Sequence, residues 1–152
     1  MATLEKVSTL EDMKTLMNEL HRLRMRLIYD FYAVLQDFTS KKILPQWLQK
    51  KGVNEVVVKE SGNEVLSKII AAKRHAIIVY DIETPDLNGL QFLINLDKNP
   101  EVKSLCKVII STPRLPMESQ DKLMTLGAKA LISKPLAEND FRVAFSKVGL
   151  DY

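Results

Sequence analysis

The chain has 152 residues, of which 46% are apolar and 27% charged, with a formal net charge of +3. This is the length and composition of one soluble globular domain with a helix to spare, and the mild, dispersed positive charge does not call for nucleic acid. No apolar run reaches the roughly 18–20 residues of a membrane span; the N-terminus has acids and no secretory h-region; and a single cysteine, Cys106, excludes an internal disulfide and fits a reducing cytosol.

Residues 8–28 read as one helix, opened by a capping box of Ser8 and Glu11. Met13, Leu16, Leu20, Leu23 and Leu27 recur at intervals of three and four and form one apolar stripe. Acids lie early in this helix and Arg22, Arg24 and Arg26 late, as the helix dipole favours. Short apolar runs then alternate with amphipathic segments. Strands are expected at 32–35, 56–58, 77–80, 107–111 and 130–133, and helices at 40–51, 63–73, 90–98, 117–126 and 137–147. Gly52 and Gly127 serve as helix stops. The third strand, Ile77-Ile78-Val79-Tyr80, is apolar throughout, as a strand covered on both faces should be. Trp47 reads as core, His75 as a surface residue, and His21 as an ordinary exposed helix histidine. There is no internal repeat.

Such alternation argues for a parallel sheet with helices on both faces, in which the ligand site lies beyond the carboxyl ends of the strands. Those ends carry Gln36 and Asp37, Asp81, Ser111 and Thr112, and Lys134. Two carboxylates brought together are costly unless a cation neutralises them, and Mg²⁺ takes one or two carboxylates plus waters and a phosphate. A carboxylate is also a competent nucleophile for an aspartyl phosphate, with an ammonium and a hydroxyl stabilising the transferring oxygens. Thr112 and Ser111 compete for the hydroxyl role.

Asp37 after the first strand, the stretch IIVYDIETPDLNGLQFL at 77–93, VIISTP at 108–113 and GAKALISKP at 127–135 occur in an order that resembles the receiver domain of bacterial response regulators, the CheY-like superfamily. The likeness spans roughly residues 31–148. It implies a flavodoxin-like, doubly wound five-stranded parallel sheet of order 2-1-3-4-5, with residues 1–30 as an added N-terminal helical extension and 31–152 as the receiver domain. By the same resemblance Asp81 is the phosphoacceptor, Asp37 a direct Mg²⁺ ligand beside Asp81, and Glu83 a ligand through its backbone carbonyl. Thr112 binds the phosphoryl group and moves on activation, and Lys134 pairs with Asp81 or its phosphate. The implied donor is a histidine kinase or phosphotransfer protein, the setting is cytoplasmic, and no enzyme activity beyond self-phosphorylation is implied.

The sequence departs from the family in four places. Gln36 replaces the first of two adjacent acids, which weakens Mg²⁺ binding; Leu131 replaces an aromatic that follows the hydroxyl inward; Pro113 stiffens the loop after Thr112; and Pro45 kinks its helix or shifts its start. With no output domain expected after residue 152, signalling runs through protein–protein contact or onward phosphoryl transfer. The rival reading is a pseudo-receiver, an interaction or scaffold module that is never phosphorylated; an independent hydrolase has little support. The N-terminal stripe either packs on its own receiver or pairs two chains into a homodimer, and pairing is favoured because the receiver closes its own core.

Overall fold

The computed structural model describes residues 9–53 and 55–149, and of residues 21–28 the backbone helix alone. The elements in chain order are α1 (Leu10–Ile28), β1 (Asp30–Val34), α2 (Phe38–Lys50), β2 (Val57–Lys59), α3 (Gly62–Ala72), β3 (Ala76–Asp81), α4 (Gly89–Asp97), α5 (Pro100–Lys103), β4 (Cys106–Thr112), α6 (Met117–Thr125), β5 (Ala128–Ser133) and α7 (Glu138–Lys147). The five strands are all parallel in the order β2-β1-β3-β4-β5, which is the expected topology.

Alternation along the strands sorts their side chains into two cores. Phe31, Ala33, Leu35, Ile77, Val79 and Ile109 meet α2 and α7 on one face, where Leu44, Leu48, Phe141, Ala144 and Phe145 close the layer. Tyr32, Val34, Ile78, Tyr80, Val108 and Ile110 meet α3, α4 and α6 on the other, through Val65, Ile69, Phe92, Leu96 and Leu123. Every residue of β3 is buried, whereas the edge strands β2 and β5 keep exposed positions. Trp47 is half-buried and packs on Phe141 with ring centroids 5.2 Å apart, as expected of a core residue, and His75 is exposed.

Most boundaries fall within two residues of expectation. α2 begins at Phe38, two residues early, because Asp37 caps it; the helix runs through Pro45, which lies in its interior. The short helix α5 was not expected; Pro100 opens it at the first helical position, where a missing N–H costs nothing. Ser8 and the side chains of His21, Leu23 and Leu27 lie outside the described residues; at the start of α1 the Thr9 hydroxyl accepts from the Asp12 N–H at 3.1 Å.

Candidate functional site

Asp81 ends β3 at the centre of the sheet with 1% of its surface exposed. A carboxylate so buried needs compensation. Its Oδ2 accepts from the Gln36 N–H at 2.8 Å, and its Oδ1 pairs with the Lys134 ammonium at 3.0 Å. Lys134 reaches in from beyond β5 and also meets Asp37 Oδ1 at 2.9 Å. The other Asp37 oxygen accepts from the Ser40 N–H at 2.8 Å and so caps α2. One ammonium therefore bridges two carboxylates whose outer oxygens are held by backbone N–H groups.

The electrostatics follow this wiring. Burial alone would raise the Asp37 carboxyl, but the Lys134 ammonium and the Ser40 N–H outweigh it and hold the group at about 2. Burial would lower Lys134, and its bonds to Asp37 and Asp81 raise it instead. Asp37, Asp81 and Lys134 are thus brought together as the sequence implied.

The β4 side of the cleft is arranged differently. Ser111 is directly opposite Asp81 in the β3–β4 register, fully buried, and its hydroxyl has no hydrogen-bond partner. The hydroxyl of Thr112, which is 3% exposed, donates to the Pro113 carbonyl at 2.8 Å and not to Asp81. Leu131, paired with Ile110 across β4 and β5, is half-buried against the second core. A cavity of about 790 Å³ opens at these strand ends, lined by Gln36, Glu83, Thr84, Asn88, Thr112 and Pro113 among others.

Two parts of the site escape sequence reasoning. The Gln36 amide turns away from Asp81 and donates to the Glu60 carbonyl at 2.8 Å, tying the β1–α2 loop to the β2–α3 loop. Asp86, in the loop after β3, accepts from the Ser61 hydroxyl at 2.7 Å, from Gly62 N–H and Asn63 N–H at 3.1 Å each, and from Leu87 N–H at 2.9 Å. Burial would raise its carboxyl, yet these donors hold it at about 2. Beneath it the Tyr80 hydroxyl donates to the Leu87 carbonyl. A side chain on Gly62 would collide there, because its Cβ would fall 1.6 Å from the Tyr80 Oη. The loop that follows Asp81 is therefore anchored to the start of α3. The only local signal was Ser61, a good helix cap; its pairing with Asp86 is long-range.

A divalent cation fits this donor set in a reduced form. Among the described residues no cluster of three His, Cys, Asp or Glu side chains could hold a metal, since Gln36 beside Asp37 leaves two carboxylates. Two carboxylates, a backbone carbonyl and waters meet the usual requirement of Mg²⁺, and Asp81 Oδ1, whose one partner is the Lys134 ammonium, keeps lone-pair capacity for it. Asp37, Asp81 and the Glu83 carbonyl would hold the ion.

The model of the response regulator receiver domain matches residues 34–146. Among curated proteins, a probable chemotaxis protein CheY of Rhizobium etli is 24% identical over 110 residues, 72% of this chain and 84% of that protein. A protein-glutamate methylesterase/protein-glutamine glutaminase of Cereibacter sphaeroides is 35% identical over 81 residues, 53% of this chain but 22% of that protein. Among solved structures, the chemotaxis response regulator CheY4 of Vibrio cholerae superposes with a TM-score of 0.68 at 21% identity, covering 80% of this chain and 98% of that one. The receiver domain of a Pseudomonas aeruginosa sensor histidine kinase, with magnesium coordinated in its active site cleft, gives 0.65 at 14% identity, covering 79% and 97%.

Proposed function

The chain belongs to the response regulator receiver domain family of two-component signalling, and from that premise we propose that it accepts a phosphoryl group on Asp81 from a partner's phosphohistidine and signals by protein–protein contact. The observation that carries this reading is the bridge Asp37–Lys134–Asp81, with Lys134 at 2.9 and 3.0 Å from the two carboxylates. In the reaction an Asp81 carboxylate oxygen attacks phosphorus, the P–N bond to the histidine breaks, and the imidazole leaves with a proton from solvent. Lys134, already beside Asp81 Oδ1, follows the negative charge that develops on the phosphoryl oxygens. The Gln36 N–H holds Asp81 Oδ2 in place and Lys134 pairs with Oδ1, so the carboxylate is fixed in orientation before the donor arrives. Asp37, Asp81 and the Glu83 carbonyl would hold a Mg²⁺ ion, which when bound would further neutralise phosphoryl charge.

Thr112 is the hydroxyl assigned to the phosphoryl group, and reaching it requires breaking the bond to the Pro113 carbonyl. Residues 31–152 form the receiver domain and residues 1–30 an extension whose apolar stripe pairs with a second copy. A cytoplasmic location follows from the family; among the described residues no helix is long and apolar enough to cross a membrane.

Intact-protein mass after incubation with acetyl phosphate and Mg²⁺ tests the proposal. One phosphoryl adduct on the parent and none on Asp81→Asn is expected; an unmodified parent under excess donor and metal would move the chain to the pseudo-receiver class.

A further inference from the structure

The domain buries its apolar side chains in two closed layers, but none of the described side chains of α1 shares in them. Leu10, Met13, Met17 and Leu20 are 69%, 53%, 66% and 57% exposed, and Leu16 is only half-buried. Four large apolar side chains in water along about three turns of helix form the kind of patch that marks an interface. With Leu23 and Leu27 the sequence extends the stripe to the end of α1 at the 3–4 spacing of a two-helix seam.

Building on the reading of α1 as a pairing surface, we propose that the stripe is covered by α1 of a second copy lying antiparallel, with the two-fold axis beside residue 18. That register sets position 13 opposite position 23 of the second copy and position 16 opposite position 20, so the four central layers are filled by Met or Leu, while Leu27 falls opposite Thr9. Charge selects the direction. Arg22, Arg24 and Arg26 all fall within residues 22–26. A parallel pair would bring six arginines together within about 6 Å along axes some 8–10 Å apart, about one Debye length at physiological salt, where repulsion is only partly screened. The antiparallel register sets residues 22–26 against residues 10–14, which carry Glu11 and Asp12 with one Lys14. Glu19, near the axis, has Arg22 three residues on in its own helix. The helix dipoles also run head to tail.

The junction with the domain supports the same direction. A single residue, Tyr29, separates α1 from β1, and it is held by edge contact with His75 at 5.8 Å and by the Lys107 ammonium 5.4 Å from its ring. A short fixed junction in a parallel pair would put both domains at one end, whereas the antiparallel pair sets them about 28 Å apart along the 19-residue helix. Because α1 enters β1 at its amino end, pairing occurs at the opposite edge of the sheet from Asp81. Both phosphorylation clefts stay open to a donor, and one dimer presents two receivers.

Sedimentation through the micromolar range and cysteine trapping, both in the full chain carrying Cys106→Ala, test this together. A doubled mass is expected. Oxidising a mixture of the Met13→Cys and Leu23→Cys variants should give a crossed disulfide dimer, and either variant alone should give little. The triple change Arg22→Glu, Arg24→Glu and Arg26→Glu should weaken association at least tenfold, because acids then face Glu11 and Asp12. A monomer throughout, a homodisulfide of Met13→Cys without the crossed product, or undiminished association of the triple variant would overturn the proposal. None of these readouts uses phosphoryl transfer, so their failure leaves the assignment of Asp81 standing, and a chain that pairs but takes no phosphoryl group would sink only that assignment.

Discussion

The two sides of the cleft differ in how their polar groups are satisfied. On the side built by β1, β3 and β5, three charged groups from distant parts of the chain satisfy one another: Lys134 joins Asp37 and Asp81, and backbone N–H groups hold the remaining oxygens. On the β4 side the hydroxyls do not take part. Thr112 bonds the carbonyl of its own neighbour, Pro113, and Ser111 bonds nothing. Leu131 has no polar group with which to follow a hydroxyl. Under the proposed function, the acceptor half is organised in advance of a phosphoryl group, and the Thr112 hydroxyl is held by a local bond that such a group would have to displace. The requirements for accepting a charge and for reporting it are separable in one small domain.

The largest way to break this contrast is to remove its centre. Lys134→Met leaves Asp81 buried with no cation, so phosphorylation by acetyl phosphate should slow roughly 100-fold, the scale of losing one preorganised charge. Stability should fall by about 2 kcal/mol in urea unfolding, less than for a fully buried pair because Lys134 is 26% exposed. An unchanged rate would show that the bridge is only structural.

Gln36→Asp sharpens the contrast by adding an acid beside Asp37. Mg²⁺ affinity, read by calorimetry without any phosphoryl donor, should rise about tenfold, roughly the 1.4 kcal/mol of one added charge near a partly exposed site. The same change removes the amide bond to the Glu60 carbonyl, so the loop pair should loosen and exchange its amides faster.

Pro113→Ala addresses the response half. Relaxing the loop should cost within about 1 kcal/mol of stability and leave the phosphorylation rate within about twofold. It should also enlarge the chemical-shift changes at Thr112 and Leu131 on phosphorylation. Equal changes in parent and variant would mean that the proline does not restrain the hydroxyl.

The smallest effect is with acid. Asp37 and Asp86 are both held at about 2 against an ordinary 3.8. A carboxylate depressed in the folded state contributes its stability in full above its unfolded value and loses it as the pH falls through the folded one. Stability should therefore drop between about pH 4 and pH 2. Asp86→Asn should flatten part of that slope, which thermal melts across the range would record.

Much of this was legible in the sequence because the signals are local. β3 reads as a doubly covered strand from four consecutive apolar residues, and the strand ends identify Asp37, Asp81 and Lys134 without any knowledge of contacts. The unread parts depend on partners far along the chain. Gln36 looked like a missing acid, and only the fold shows its amide spent on Glu60. Asp86 carries no local signal in the sequence and is the anchor of the β3 loop onto α3, above a Gly62 that has to be bare. The exposed stripe of α1 was visible as a pattern, but periodicity alone does not say whether a helix face is covered.

Reduction of the phosphorylated protein with borohydride, followed by peptide sequencing, tests the central claim most directly. An acyl phosphate at Asp81 is reduced to the alcohol, so the account predicts homoserine at position 81 and nowhere else. Homoserine at another acid, or phosphate retained on Ser111, Thr112 or a histidine after reduction, would contradict it.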